Sequence, residues 1–301
     1  METEQTLQTG DLTVAAVARR LGIAPATLRT WDRRYGLGPT EHNAGTHRRY
    51  SLDDLARVTM MRRLTLAGMA PAQAAEEAKS FTGGLAGLES LPLIPNFEVK
   101  SQVVEYLYNC AKSMDSKSFS ELLNRELDSS TVEEVYESII VPLLQMVGEM
   151  WATSGNGIAI EHLISNLIIG ALSDSTLLPT SPINDRPVLL SCVEDEPHSI
   201  PLHALTASLS QRNIAFISLG AKTPQVAISE VVTRCAPPVI FLWSQRAQTA
   251  HLDICQSLPD VRPAAKLILG GPGWNEVEVE GAVYVSTLSE ACSEISSTFT
   301  L

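Results

Sequence analysis

Apolar positions near the start of the chain recur at helical spacing. Val14, Val17, Ala18 and Leu21 share one face, and Thr13 stands where an N-cap is needed. Gly22 ends this element, and Ala24-Pro25 opens a second helix that runs through Leu28, Arg29, Thr30, Trp31, Arg33 and Arg34 to Tyr35-Gly36. A polar loop follows, and a third helix starts at Ser51 with Leu52, Leu55, Val58, Met61, Leu64 and Leu66. Pro71 and an Ala-rich stretch predict a shorter helix before Gly83-Gly84 and the linker Leu91-Pro92-Leu93-Ile94-Pro95. From Phe97 to Leu178 the pattern predicts four helices, ending near Met114, Asp128, Ala152 and Leu178. Asp115-Ser116 and Ser130-Thr131 are natural caps, Thr131 with Glu134 forms a capping-box pattern, and Pro142 should kink the third helix. The fourth helix, I-A-I-E-H-L-I-S-N-L-I-I-G-A-L, is apolar nearly all round, which predicts burial on most sides.

Beyond Pro187 the pattern changes to short apolar runs alternating with amphipathic segments. Strands are predicted over 188–192, 215–219, 239–243, 266–269 and 282–285, with helices starting near Pro201, Thr223, Gln245, Asn275 and Leu288. Five βα units mean a parallel sheet, and a flavodoxin-like strand order 2-1-3-4-5 would place ligands at the carboxyl ends of strands one and three. The fold class is therefore multidomain α and α/β. A winged helix-turn-helix is expected over 1–85, a linker over 86–96, a four-helix bundle over 97–180 and a flavodoxin-like (Rossmann-like) parallel sheet over 186–301.

Charge changes the picture next. The net charge is −12, yet residues 12–66 hold ten Arg against four acids, a local +6. A basic reader is joined to an acidic body. Five cysteines lie far apart with no C-x-x-C pair, which predicts reduced thiols in a cytoplasmic protein. No signal peptide pattern and no apolar run of membrane-spanning length is visible, so no membrane partner is expected.

Two short helices joined by a Gly-containing turn, the second rich in Arg, fit a helix-turn-helix, and the loop ending Gly45-Thr46-His47-Arg48-Arg49-Tyr50 reads as a wing. The stretch V-A-R-R-L-G-I-A-P-A-T-L-R-T-W-D-R-R-Y-G-L followed by G-T-H-R-R-Y-S-L-D-D-L resembles the MerR family of winged-helix transcription regulators over about residues 12–80. The resemblance implies binding of a double-stranded DNA operator as a dimer or larger homo-oligomer. The expected DNA contacts are Arg29, Thr30, Arg33, Arg34 and Tyr35 on the second helix, with Arg48, Arg49 and Tyr50 in the wing. Glu41-His42 departs from the Arg common at the wing start, which puts phosphate contacts there in doubt.

A second constellation lies downstream. Trp151 is followed, after nine residues that include a Gly155-Asn156-Gly157 turn, by Glu161-His162. In the last domain Glu196 and His198 follow the first strand, Ser244 the third, and Gly270-Gly271 the fourth. No G-x-G-x-x-G marks a dinucleotide site, and the P-loop lysine is missing too. The set Glu196, His198, Ser244, Gly270 and Gly271 resembles the cobalamin-binding fold. Together with Trp-x9-Glu-His in a preceding bundle, it resembles the CarH/LitR group of MerR-type photoreceptor regulators.

That resemblance implies adenosylcobalamin as cofactor, His198 as the lower axial cobalt ligand, and Trp151, Glu161 and His162 over the adenosyl side. It also implies a repressor tetramer that light dissociates. Three positions depart from the group. Pro201 replaces a Gly of the His-loop, Arg246 stands where an apolar residue is usual, and Ala152 replaces the His that captures cobalt after photolysis. Two other readings stay open. A regulator whose cobalamin fold has lost the cofactor, or answers to another ligand or protein, is motivated by Pro201 and Ala152. A cobalamin-dependent methyltransferase or mutase module is the third reading, and it needs a substrate domain for which three modules in 301 residues leave no room. The expectation is a regulator, not an enzyme.

Overall fold

The computed structural model describes residues 12–40, 49–85, 87, 97, 99–154 and 157–299. Thr13 caps the first helix as its pattern requires, its hydroxyl accepting from the Ala16 N–H, and α1 runs Val14–Leu21 and α2 Pro25–Tyr35. A two-residue antiparallel ladder joins β1 (Leu12–Thr13) to β2 (Arg49–Tyr50), pairing Thr13 with Arg49 and Leu12 with Tyr50. Helices α3 (Leu52–Leu66) and α4 (Pro71–Ser80) complete the module. Its core gathers Val17, Leu21, Leu28, Trp31, Tyr50, Leu55 and Met61.

Helix α5 spans Lys100–Lys112 and α6 spans Ser116–Ser129. The third predicted helix, α7, is continuous but uneven. An α-turn over Val132–Val135 passes into a π-segment, Tyr136–Ile140, and then into α-helix over Val141–Ser154. A π-segment thus ends two residues before Pro142, where a kink is expected, as fits a residue that offers no N–H to the helical ladder. The Thr131 hydroxyl accepts from the Glu134 N–H. Helix α8 covers Ile158–Asp174, four residues short of the predicted end, with Leu177 and Leu178 exposed beyond it. Its burial is narrower than its composition implies. Ile164, Ile168, Ala171 and Leu172 form one buried stripe, while Ile158, Glu161 and His162 are exposed.

The last 115 or so residues build the predicted sheet. Strands β3 (Val188–Cys192), β4 (Phe216–Ser218), β5 (Val239–Trp243), β6 (Lys266–Gly270) and β7 (Val283–Val285) are all parallel, in the order β4-β3-β5-β6-β7. This is the expected 2-1-3-4-5 arrangement. Helices α9 (Ile200–Gln211), α10 (Gln225–Cys235), α11 (Leu252–Gln256) and α12 (Leu288–Ser296) accompany it.

Two predicted helices differ. No helix starts at Gln245, because residues 245–250 form turns and α11 begins only at Leu252. None starts at Asn275 either: a single 3-10 turn, Pro272–Trp274, leads through a further turn into a stretch without regular secondary structure. The run Glu276-Val277-Glu278-Val279-Glu280 has a period of two, which suits an extended chain. Val277 and Val279 pack on the core, and the Tyr284 hydroxyl holds both, accepting from the Val279 N–H and donating to the Val277 carbonyl at 2.6 and 2.7 Å.

The chain divides into two compact units, Met1–Leu123 with Pro142–Ile164, and Asn124–Val141 with Ser165–Leu301. In the first unit, Arg62 on α3 donates to Asp115 at 2.5 Å, and the same carboxylate caps α6 by accepting from the Ser118 N–H at 3.2 Å. Both side chains are largely buried. Asp115→Ala strands the guanidinium and uncaps α6, so it is expected to lower stability by about 3 kcal/mol. Equal urea midpoints for the variant and the parent would sink this reading of the pair. In the second unit, Glu133 and Glu137 at the start of α7 hold the α/β domain. Glu133 pairs with Arg212 at 2.5 Å, and Glu137 accepts from the Ser289 N–H and hydroxyl.

Candidate functional site

Two sites emerge, one in each unit. In the first, α2 turns Leu28 and Trp31 into the core and leaves Arg29, Arg33 and Arg34 exposed. Arg29 and Arg33 are one helical turn apart and share a face. Thr30 is half-buried, and its hydroxyl donates to the Ala26 carbonyl of the preceding turn. Tyr35 is likewise half-buried against the module core.

The wing residues separate. Arg49 is exposed, whereas Tyr50 is 1% exposed inside the core. The reason is strand geometry: successive residues point to opposite faces, and an outward Arg49 requires an inward Tyr50. Arg48 and the departure at Glu41-His42 lie outside the described residues.

The second site lies at the carboxyl ends of β3 and β5. Glu196 has no exposed surface. Its Oε1 accepts from the His198 N–H at 3.0 Å and faces His198 Nδ1 at 2.5 Å. Its Oε2 accepts from the N–H groups of Gln245 and Arg246 at 2.9 and 3.1 Å and from the Thr249 hydroxyl at 2.8 Å. Burial alone would push this carboxyl up. The hydrogen bonds from His198, Thr249 and Arg246 outweigh it and hold the group below the ordinary glutamate value. An ionised Glu196 makes Nδ1 the donor, so in the neutral ring Nε2 carries the lone pair, on a side chain that is half exposed. The chemistry follows from that geometry: one imidazole nitrogen is held in a single tautomer and offered to a metal.

The neighbouring thiol is silent. Burial, then the Glu196 charge, pushes Cys192 up to about 12.

The other predicted residues of this domain pack beside the loop that follows β5. Ser244 is fully buried, and its hydroxyl is engaged by the Arg246 carbonyl at 3.0 Å and by the Thr249 hydroxyl at 2.7 Å. Gly270 and Gly271 serve the same packing. A Cβ on Gly270 would meet Phe241 at 2.4 Å, and one on Gly271, at φ 100°, would meet the Ser244 carbonyl oxygen at 2.3 Å. These glycines let the loop after β6 close on the loop after β5, and protein atoms fill the space beside them.

Arg246 points back, its guanidinium donating to the Asp195 carbonyl at 2.6 Å. Pro201 occupies the first turn of α9, where its missing N–H costs nothing. Cobalamin therefore meets a mixed fit. The imidazole suits cobalt, while the space beside Gly270 and Gly271 is taken up by Phe241 and Ser244.

Thr249 escaped the sequence reading. A hydroxyl five residues after Ser244 gave no signal while residues 245–250 were expected to be helical. Trp151 lies on α7, with its side chain and that of Ala152 outside the described residues, as are Gly155 and Asn156. Glu161 and His162 are exposed in the first turns of α8, 3.7 Å apart. They belong to the first unit and His198 to the second.

Residues 12–80 match the MerR HTH family regulatory protein family, and residues 103–173, within the helical middle, match the B12 binding domain family. The chain is 26% identical over 263 residues to the HTH-type transcriptional repressor CarH of Myxococcus xanthus, covering 85% of both chains. It is also 26% identical over 270 residues to the HTH-type transcriptional repressor CarA of the same organism, covering 88% of both. Among solved structures, the monomethylamine corrinoid protein of Methanosarcina barkeri shares the fold, with a TM-score of 0.53 and 12% identity, covering 65% of this chain and 98% of that one. With an arginine-bearing helix-turn-helix over 12–80 and a B12 binding domain over 103–173, this chain is a DNA-binding regulator of the MerR type.

Proposed function

We propose that this protein is a transcription regulator whose oligomeric state and operator binding are controlled by adenosylcobalamin, as a light sensor. The observation that carries the reading is His198, fixed through Nδ1 by a buried, five-fold hydrogen-bonded carboxylate at the topological switch point of a 2-1-3-4-5 sheet. His198 Nε2 is the cobalt ligand in this reading, and Glu196 sets its tautomer. Ser244, Thr249, Gly270 and Gly271 shape the loops that hold Glu196. Trp151, Glu161 and His162 are assigned to the cofactor from the helical part of the chain. The cofactor, when bound, supplies a light-labile cobalt–carbon bond. DNA is met by Arg29, Arg33 and Arg34 with Arg48 and Arg49, in a homo-oligomer that reads repeated half-sites. In domain terms, 1–85 is the reader, 97–180 the cap and 186–301 the cobalt-ligand domain.

The test is size-exclusion chromatography of protein loaded with adenosylcobalamin in the dark, repeated after illumination. A larger species in the dark and a smaller one in the light is expected. Corrinoid-free protein with one elution volume throughout would overturn the reading. It would favour instead a regulator that has lost the cofactor, the alternative supported by the filled space beside Gly270 and Gly271.

A further inference from the structure

The strongest unassigned polar group in the first unit is the Asp54 carboxylate, whose side chain is 1% exposed. It sits in the first turn of α3, and an ordinary capping box accounts for part of its bonding. The Ser51 hydroxyl accepts from the Asp54 N–H, and Asp54 Oδ2 accepts from the Ser51 N–H, both at 3.1 Å. A cap requires nothing more. Yet the same Oδ2 also accepts from the N–H and the hydroxyl of Thr40, at 3.1 and 3.2 Å, fourteen residues earlier in the chain. Oδ1 accepts from Arg57 at 3.0 Å. One buried carboxylate therefore holds the residue before the stretch 41–48 and the residue shortly after it.

The approach to Thr40 is equally constrained. Leu37 and Pro39 are buried, and Gly38 lies so close to Asp32 of α2 that a Cβ there would sit 2.1 Å from its Oδ1. The return is fixed by Arg49 pairing with Thr13, the cap of α1.

We propose that Asp54 is a positioning residue for DNA binding, fixing the base of the wing, and with it Arg49, in register with the arginines of α2. Four accepted hydrogen bonds need two anionic oxygens. An amide at this place turns its NH2 either toward the Thr40 and Ser51 donors or toward the Arg57 guanidinium. The inference rests on the reading of Arg49 as a phosphate contact, and the experiment separates the two.

Operator affinity is measured over a series of salt concentrations for the full chain and for Arg49→Ala, Asp54→Asn and the double variant, at a temperature where circular dichroism shows each folded. Each lost phosphate contact makes the slope of log K against log salt shallower by about 0.9. Arg49→Ala should show that change, Asp54→Asn should show at least as much, and the double variant should match Asp54→Asn alone. An unchanged slope for Arg49→Ala overturns the phosphate reading of the wing. A changed slope for Arg49→Ala beside a parental slope for folded Asp54→Asn overturns the positioning role alone. If Asp54→Asn does not fold, Thr40→Val, which deletes one of the four bonds, replaces it. A shallower slope at an unchanged melting temperature supports the role, and a parental slope overturns it.

Discussion

Glu196→Ala is expected to unfold more easily than any other single variant at the second site, by about 3–5 kcal/mol, because it leaves buried donors without their acceptor. Two backbone N–H groups, the Thr249 hydroxyl and both His198 donors converge on that carboxylate. None of the other described side chains there collects as many.

Glu196→Gln separates stability from ligation. The amide keeps the shape, loses the charge and no longer fixes the tautomer of His198. Loss of a carboxylate behind a metal-binding imidazole typically costs about 10–100-fold in affinity. Titration of the protein with aquocobalamin, followed by absorbance, reads this directly. Equal affinity for parent and variant would remove His198 from the proposed cobalt site.

The same group sets a pH dependence in the cofactor-free protein. The folded carboxyl lies below its unfolded value. Its contribution is therefore complete above the unfolded value of about 4.3. It is lost as the pH falls through the lower, folded value. Glu196→Gln should flatten that acid limb in urea midpoints measured from pH 7 downward.

Arg33→Ala combined with Arg34→Ala is the second large effect. If each guanidinium neutralises one phosphate, the slope of log K against log salt becomes shallower by about 1.8. A bidentate contact to a guanine edge by either residue adds a loss of about 1–3 kcal/mol on the operator alone. Arg234→Ala serves as control. That residue is exposed on α10 and paired with Glu230 one turn earlier, and it carries the same charge change away from the DNA reader. A parental slope for the double variant, or an equal change in Arg234→Ala, would reject α2 as the recognition helix.

The sequence made the sheet legible almost to the residue because β3 and β5 are buried on both faces. Val239–Trp243 stands out as an unbroken apolar run, and Val188–Cys192 as one interrupted only by Ser191. Helices α1 to α3 were legible for a related reason: Thr13, Pro25 and Ser51 announce their own starts through local hydrogen bonds or fixed φ. The burial of Tyr50 was not legible, because it follows two arginines in sequence and turns inward only through strand alternation.

The core pair of the second site, Glu196 and His198, was visible as two residues in a loop. What surrounds it was not. Gln245, Arg246 and Thr249 turn toward Glu196 only once β3 and β5 lie side by side, and that long-range demand keeps residues 245–250 out of a helix. No local pattern encodes it. Ser244, Gly270 and Gly271 stand out by their types, and in the fold they also pack the loops after β5 and β6 against each other.

The missing helix after β6 has its own consequence for which sequences this fold tolerates. Trp274 is buried at the start of that connection, and its indole nitrogen has no acceptor among the described residues. The position selects for volume and is indifferent to the N–H. A phenyl ring would keep most of what matters there, and a small aliphatic side chain would leave a void. In the four residues before it the rule inverts, since Gly270, Gly271 and Gly273 would each drive a Cβ to within 2.7 Å of existing atoms. Variation in this short segment is therefore bounded from below at one position and from above at three, and a substitution at Trp274 has no slack among its glycine neighbours to absorb it.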